Sequence, residues 1–139
     1  MDEYSTFQVS RILEIDRTRL QEWINRGFFA PHRKAAGKGT KAVFTREDLY
    51  RLELFALLLP WMHRSRAKTI SNINFDGVGP EKEQYKYCRL RVSARKGFVV
   101  GDTELLKEIP PGDMKKASLF VIIINLLAIK DDVDGRLEG

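Results

Sequence analysis

Over residues 1–75 the apolar positions recur every three or four residues in short bursts, and each burst is bracketed by residues that start or stop helices. Ser5-Thr6-Phe7-Gln8 has the S/T-x-x-Q spacing of a capping box, and Val9, Ile12 and Leu13 follow on one helical face. A first short helix is predicted to end near Glu14. Asp16 is placed to cap a second, Arg17 to Arg26, with Leu20, Trp23 and Ile24 on one face and Gly27 at the left-handed stop position. Two short helices joined by a tight turn make a helix-turn-helix candidate. Pro31 then bars helix, a turn-rich segment runs from Ala35 to Thr40, and "KAVFT" (41–45) reads as a short strand. This predicts a β-hairpin. Thr45 caps a third helix, Arg46 to Leu59, with apolar Leu49, Leu52, Phe55, Ala56 and Leu59, which Pro60 ends. Ser65 is placed to cap a fourth, through Ala67, Ile70 and Ile73 to about Asn74.

Past "DGVGPEKEQ" (76–84) the period changes. Two glycines, a proline and charges mark that stretch as a linker, dividing a domain at 1–75 from one at 85–139. "YKYCRLRVS" (85–93) alternates as a strand does; "KGF" (96–98) turns the chain into a second strand, "FVVG" (98–101). Residues 102–117 are polar and contain the turn "PPG" (110–112). "SLFVIII" (118–124) reads as a third strand, although periodicity alone leaves helix open there. Leu126, Ile129, Val133 and Leu137 form the stripe of a terminal helix, which either covers its own sheet or meets a second copy of the chain. The fold class expected is α+β: a mostly helical N-terminal part with a hairpin, and a small C-terminal α+β domain or dimerisation element.

Charge changes the picture. Residues 1–70 hold 13 Lys+Arg against 8 Asp+Glu, residues 71–139 hold 11 of each, and from Arg17 to Arg46 eight cations face one acid, Glu22. Such asymmetry suits a polyanionic partner. On the second helix Thr18, Gln21, Glu22 and Asn25 point outward, with Arg17, Arg19 and Arg26 at the flanks. Arg and Gln carry the forked groups that match purine edges in a major groove. The same face would also serve as an ordinary solvated surface. "RKAAGKGTK" (33–41) has the composition of a phosphate-gripping loop, but not that of a nucleotide P-loop. His32 stands where the first glycine belongs, Gly39 follows Lys38 in place of Ser or Thr, and a strand follows instead of a helix.

The order "QVSRILEIDRTRLQEWINRGFFAP", basic hairpin, "FTREDLYRLELFALLL" resembles the DNA-binding domain of the MerR family of bacterial regulators, a winged helix-turn-helix, from Tyr4 to about Asn74. Trp23 stands four residues before Gly27, Phe28 and Phe29 fill the bulky positions after it, Pro31 leads into the wing, and "FTREDL" resembles the start of the family's third helix. The resemblance implies a second helix in the major groove, with Arg17, Thr18 and Gln21 near bases or phosphates. It also implies a wing on the flanking backbone through Arg33, Lys34, Lys38 and Lys41. Two positions depart from the family's habit of arginine: Gln21, six residues before the glycine, and Ala42, two before the closing aromatic. Gly77, Gly79 and Pro80 also forbid the long helix through which typical members pair, leaving the 119–124 segment and the Leu126–Leu137 stripe as the dimer candidates.

Other chemistries find little material. Cys88 sits mid-strand, far in sequence from His32 and His63, as a structural thiol would; a lone cysteine makes no disulfide and a poor thiophilic metal site, and "KDDVDGRLE" (130–138) lacks the spaced ligands of a calcium loop. The apolar run 119–129 is broken by Asn125 and is too short to span a bilayer, and no secretory leader pattern is seen. The expectation is a cytoplasmic, non-catalytic transcriptional regulator without cofactor or metal. It would bind double-stranded DNA as a homodimer and take a small-molecule or protein effector at its C-terminal half. The alternatives are a protein-interaction module and an architectural or recombination accessory protein.

Overall fold

A computed structural model describes residues 2–37, 39–93, 99–109 and 118–138 of the chain. Lys38 and the expected turns "KGF" and "PPG" lie outside the described residues. Two compact units are present. One runs up to Phe75 and takes in the residues from Ile129 on; the other is Asp76–Ala128.

The first unit opens with β1 (Glu3–Tyr4) and α1 (Thr6–Leu13). Ser5 and Gln8 close the capping box reciprocally: the Gln8 N–H donates to Ser5 Oγ at 3.2 Å, and the Ser5 N–H to Gln8 Oε1 at 2.8 Å. Glu14 ends the helix in the left-handed region at φ 55°, a conformation that a non-glycine residue adopts only under local constraint. The turn is tied there by the Ile15 N–H to Ser10 O at 3.1 Å and Ser10 Oγ to Ile15 O at 2.7 Å. Next comes α2 (Arg17–Asn25), with Asp16 at its N-cap position but making no side-chain cap bond. Gly27 takes the left-handed stop at φ 78°.

The expected strand 41–45 is shorter, β2 (Phe44–Thr45). Its partner is β1, which no hydropathy pattern marks: Tyr4 pairs with Phe44 and Glu3 with Thr45. Then come α3 (Arg46–Leu58) and α4 (Arg64–Ser71). His63, not Ser65, caps α4: its ring accepts from the Ser65 N–H at 3.1 Å.

Leu20, Leu49, Leu52 and Phe55 are fully buried, and Trp23 meets the Phe55 ring edge-on at 5.1 Å. An aromatic pair of this geometry adds about 1 kcal/mol beyond area burial. It fixes α2 against α3, so the polar face of α2 must look outward.

The C-terminal helix α5 (Leu126–Glu138) returns to this unit from Ile129 on. Asp134 receives the Tyr50 hydroxyl and the Arg46 guanidinium, and Arg136 reaches Glu53 at 3.4 Å and Ile12 O at 3.5 Å. Burial holds the Glu53 carboxyl above the ordinary carboxylate value, with Arg136 opposing. A carboxyl raised by folding adds stability below its unfolded value, and that contribution is lost as pH rises through the folded one. Glu53→Gln is therefore expected to melt higher than the native chain at pH 7. The gap should close as pH falls below the ordinary carboxylate range. A lower melting point for the variant at pH 7 contradicts this.

The second unit starts in the stretch expected as a linker. Val78 is buried and bridges Tyr85, whose N–H donates to Gly77 O at 2.9 Å. Its sheet is β4-β3-β5, antiparallel, from β3 (Tyr87–Ser93), β4 (Val99–Leu106) and β5 (Ser118–Asn125). Pairing with β3 makes 118–124 a strand, in register from Tyr87↔Asn125 to Leu90↔Ile122 and beyond. Asn125, which breaks the apolar run, caps α5 by accepting from the Ala128 N–H at 2.9 Å. As an edge strand β4 tolerates polar side chains, and so it continues through exposed Thr103 and Glu104, past the four residues expected. Buried Cys88 and Leu90 share one face of β3; buried Arg89, on the other, pairs with Glu104.

Candidate nucleic-acid interface

Arg17, Thr18, Gln21 and Asn25 all stand exposed on the outer face of α2. Gln21 Nε2 donates to Asn25 Oδ1 at 3.1 Å, leaving Gln21 an acceptor and Asn25 its donors for another group. The wing follows. Its base is an antiparallel bridge between Arg33 and Val43, with backbone bonds of 3.1 and 2.8 Å. Its tip is closed by Thr40, whose Oγ1 accepts from the Ala36 N–H at 2.6 Å and donates to Gly37 O at 2.8 Å. Gly37 and Gly39 have φ of 124° and 87°, which side chains rarely adopt, so the tip needs glycine at both places.

One carboxylate locks the wing to α3. Asp48 is 4% exposed, and its Oδ2 accepts from the His32 N–H at 2.8 Å and the Thr45 N–H at 3.0 Å. The second of these completes the α3 capping box. The Asp48 side chain thus sets where the wing leaves the domain.

A groove of about 510 Å³ opens between α2 and the wing. Arg17 and Gln21 line it from α2, Lys34 and Lys41 from the wing, and Phe7 from α1. Thr18 lies on the adjoining surface with Arg17, Gln21 and Asn25. Among the described residues, the expected Arg19, Arg26 and Arg33 do not line the groove. Arg19 lies 5.8 Å over the Trp23 ring, Arg26 pairs with Glu22 at 3.3 Å, and Arg33 is exposed at the wing base.

The single acid of the basic stretch is also neutralised from a distance: Arg64 of α4 reaches Glu22 at 3.5 Å and sits 5.1 Å over Phe28. The sequence alone does not bring Arg64 to α2, nor Arg17 of α2 to the Phe7 ring at 5.8 Å.

Two helices joined by a tight turn, the second packed through an aromatic onto a capped third helix, with a basic wing between, now stand together. Residues 4–60 match the sequence profile of the MerR HTH family regulatory proteins. The N-terminal domain is a MerR-type helix-turn-helix domain. Its type is that of DNA-binding transcriptional regulators. Among curated proteins, nothing matches the chain.

C-terminal to this MerR-type domain, the apolar stripe of α5 is covered within the chain. Leu126, Ile129 and Val133 are 0%, 8% and 0% exposed in the single chain, and Leu137 is half-buried. Side chains already covered in one chain offer a second copy little further burial.

Cys88 is 2% exposed, and burial pushes its thiol up to about 11, so it is neutral at pH 7 and has little of the thiolate that nucleophilic or metal chemistry needs. Among the described residues no three His, Cys, Asp or Glu side chains gather as metal ligands, and no helix is long and apolar enough to cross a membrane.

Proposed function

We propose that this chain is a sequence-specific DNA-binding transcriptional regulator, with α2 in the major groove and the 31–45 hairpin lying as a wing along the flanking backbone. The observation that carries the reading is the convergence of Arg17 and Gln21 with Lys34 and Lys41 around one groove. A groove lined by cations from two elements suits a phosphate track, and the Gln21–Asn25 amide pair beside it suits a base edge. Arg17, Thr18 and Gln21 would face bases or nearby phosphates, and Arg33, Lys34, Lys38 and Lys41 phosphates. Arg19 and Arg26 flank the helix as secondary contacts. The Asp76–Ala128 unit is the effector-responsive part, and the working form on DNA is a homodimer.

Two measurements test this. Binding to duplex DNA should weaken steeply with salt, with a log–log slope of about −0.9 for each phosphate neutralised. Selection from random duplexes should enrich a defined sequence, as an inverted repeat if two copies bind. Gln21→Ala should shift the enriched sequence and leave the salt slope close to the native value. Absent or salt-insensitive binding defeats the proposal. It would favour the second reading, a protein-interaction module, for which Leu57 and Trp61, 50% and 66% exposed, would be the anchoring side chains. Tight binding with no enriched sequence would indicate an architectural role.

A further inference from the structure

Of the exposed large apolar side chains among the described residues, Phe7 alone lines the groove between α2 and the wing. It stands in the first turn of α1, 52% exposed, with the guanidinium groups of Arg11 and Arg17 at 5.7 and 5.8 Å from its ring centre. Two cations over an aromatic ring are attracted to it, and the ring helps to hold them in turn. A half-exposed phenylalanine is unremarkable elsewhere on a surface. Here, beside the small Ala35 and Ala42 and the buried Ile24, its groove neighbours Arg17, Gln21, Lys34 and Lys41 are charged or polar, suited to phosphate oxygens or base-edge donors and acceptors. A phenyl ring gains nothing from either. The apolar group that B-DNA presents in its major groove is the C5-methyl of thymine.

We infer that Phe7 is a specificity-determining residue that reads a thymine methyl beside the α2 contact, an inference that rests on the DNA-binding reading above. Burying one methyl group is worth about a fourfold change in affinity.

The test uses the full chain and the duplex it enriches from a random pool, with each thymine replaced in turn by deoxyuridine, which lacks only the methyl. One replacement should weaken native binding about fourfold. Phe7→Ala should bind the parent duplex weaker by a similar factor and be indifferent to that replacement, and Phe7→Leu should keep part of the discrimination. The thymine-to-uridine ratio within each variant is insensitive to how much of the protein is folded. Should no sequence be enriched, the probes are the alternating A–T duplex and its A–U counterpart. Equal native binding to thymine and uridine probes overturns the inference, and so does a Phe7→Ala chain that keeps the full native ratio. If the native chain binds no duplex, the regulator reading itself falls. Duplex binding without a thymine effect removes only the role of Phe7.

Discussion

A chain carrying Arg17→Ala, Lys34→Ala and Lys41→Ala together is expected to bind duplex DNA about 500-fold more weakly than the native chain at about 0.1 M salt, and about equally near 1 M. The size follows from counterion release. Each phosphate contact scales affinity with salt to a power of about −0.9, so a contact that vanishes near 1 M is worth roughly eightfold at 0.1 M, and three multiply. These three side chains are chosen because they share the groove and are exposed, so their removal leaves the core intact. Fluorescence anisotropy with a labelled duplex across a salt series gives both affinity and slope. The slope of the variant should be flatter by about 2.7. A triple variant that binds with native affinity and slope would show that the groove does not track a backbone. Arg19→Ala, whose guanidinium lies over Trp23 outside the groove, should change the slope by less than any one of the three.

The second large effect concerns stability. Asp48→Ala is expected to cost about 3 kcal/mol, read by urea denaturation. The carboxylate is 4% exposed and accepts from two backbone N–H groups, on His32 and Thr45. Bonds to a charged acceptor contribute about 1.5–3 kcal/mol, and an orphaned partly buried N–H adds a penalty. Loss of the capping box adds about 1 kcal/mol, and relaxation of the loop with water entry offsets part of the sum. Asp48→Asn keeps an acceptor and should lose less than half as much. Because His32 stands at the base of the wing, the folded Asp48→Ala protein should also bind DNA more weakly, although Asp48 itself is buried and does not line the groove. A loss below about 0.5 kcal/mol would mean that the wing base is held by other bonds, such as the Arg33–Val43 bridge.

The parts of the site most legible in the sequence are those written in local chemistry. The Ser5–Gln8 capping box and the Thr45 cap are short local patterns, and both form as read; the return bond from Asp48 that makes the second a full capping box is added by the structure. Gly27 occupies its left-handed stop, and Leu20, Trp23 and Ile24 turn inward, so the outward set Thr18, Gln21, Glu22 and Asn25 follows from helical geometry alone. What escaped the sequence depends on partners far away in the chain. β1 has two residues and no alternation, and it exists because Phe44 comes alongside Tyr4. The cap of α4 moved from Ser65 to His63 because a histidine ring accepts a hydrogen bond as well as a hydroxyl does, a choice that no short pattern encodes. Phe7 was visible only as a member of a capping box; that its ring lines a basic groove beside Arg17 of α2 is a matter of packing.

By itself the sequence determined the order of the four helices in the N-terminal half, the basic bias of that half and the exclusion of a nucleotide loop, because periodicity, capping residues, charge count and motif spacing are properties of neighbours along the chain. Only the tertiary structure decided which cations meet. It set Arg17 with Lys34 and Lys41 around one groove, and brought Arg64 of α4 to Glu22. It made 118–124 a strand through its pairing with β3, and returned the last helix to Glu53 and Tyr50. An apolar stripe states only that it will be buried. Which surface buries it depends on shape and hydrogen-bond partners drawn from the whole chain, and those exist only once the chain has folded.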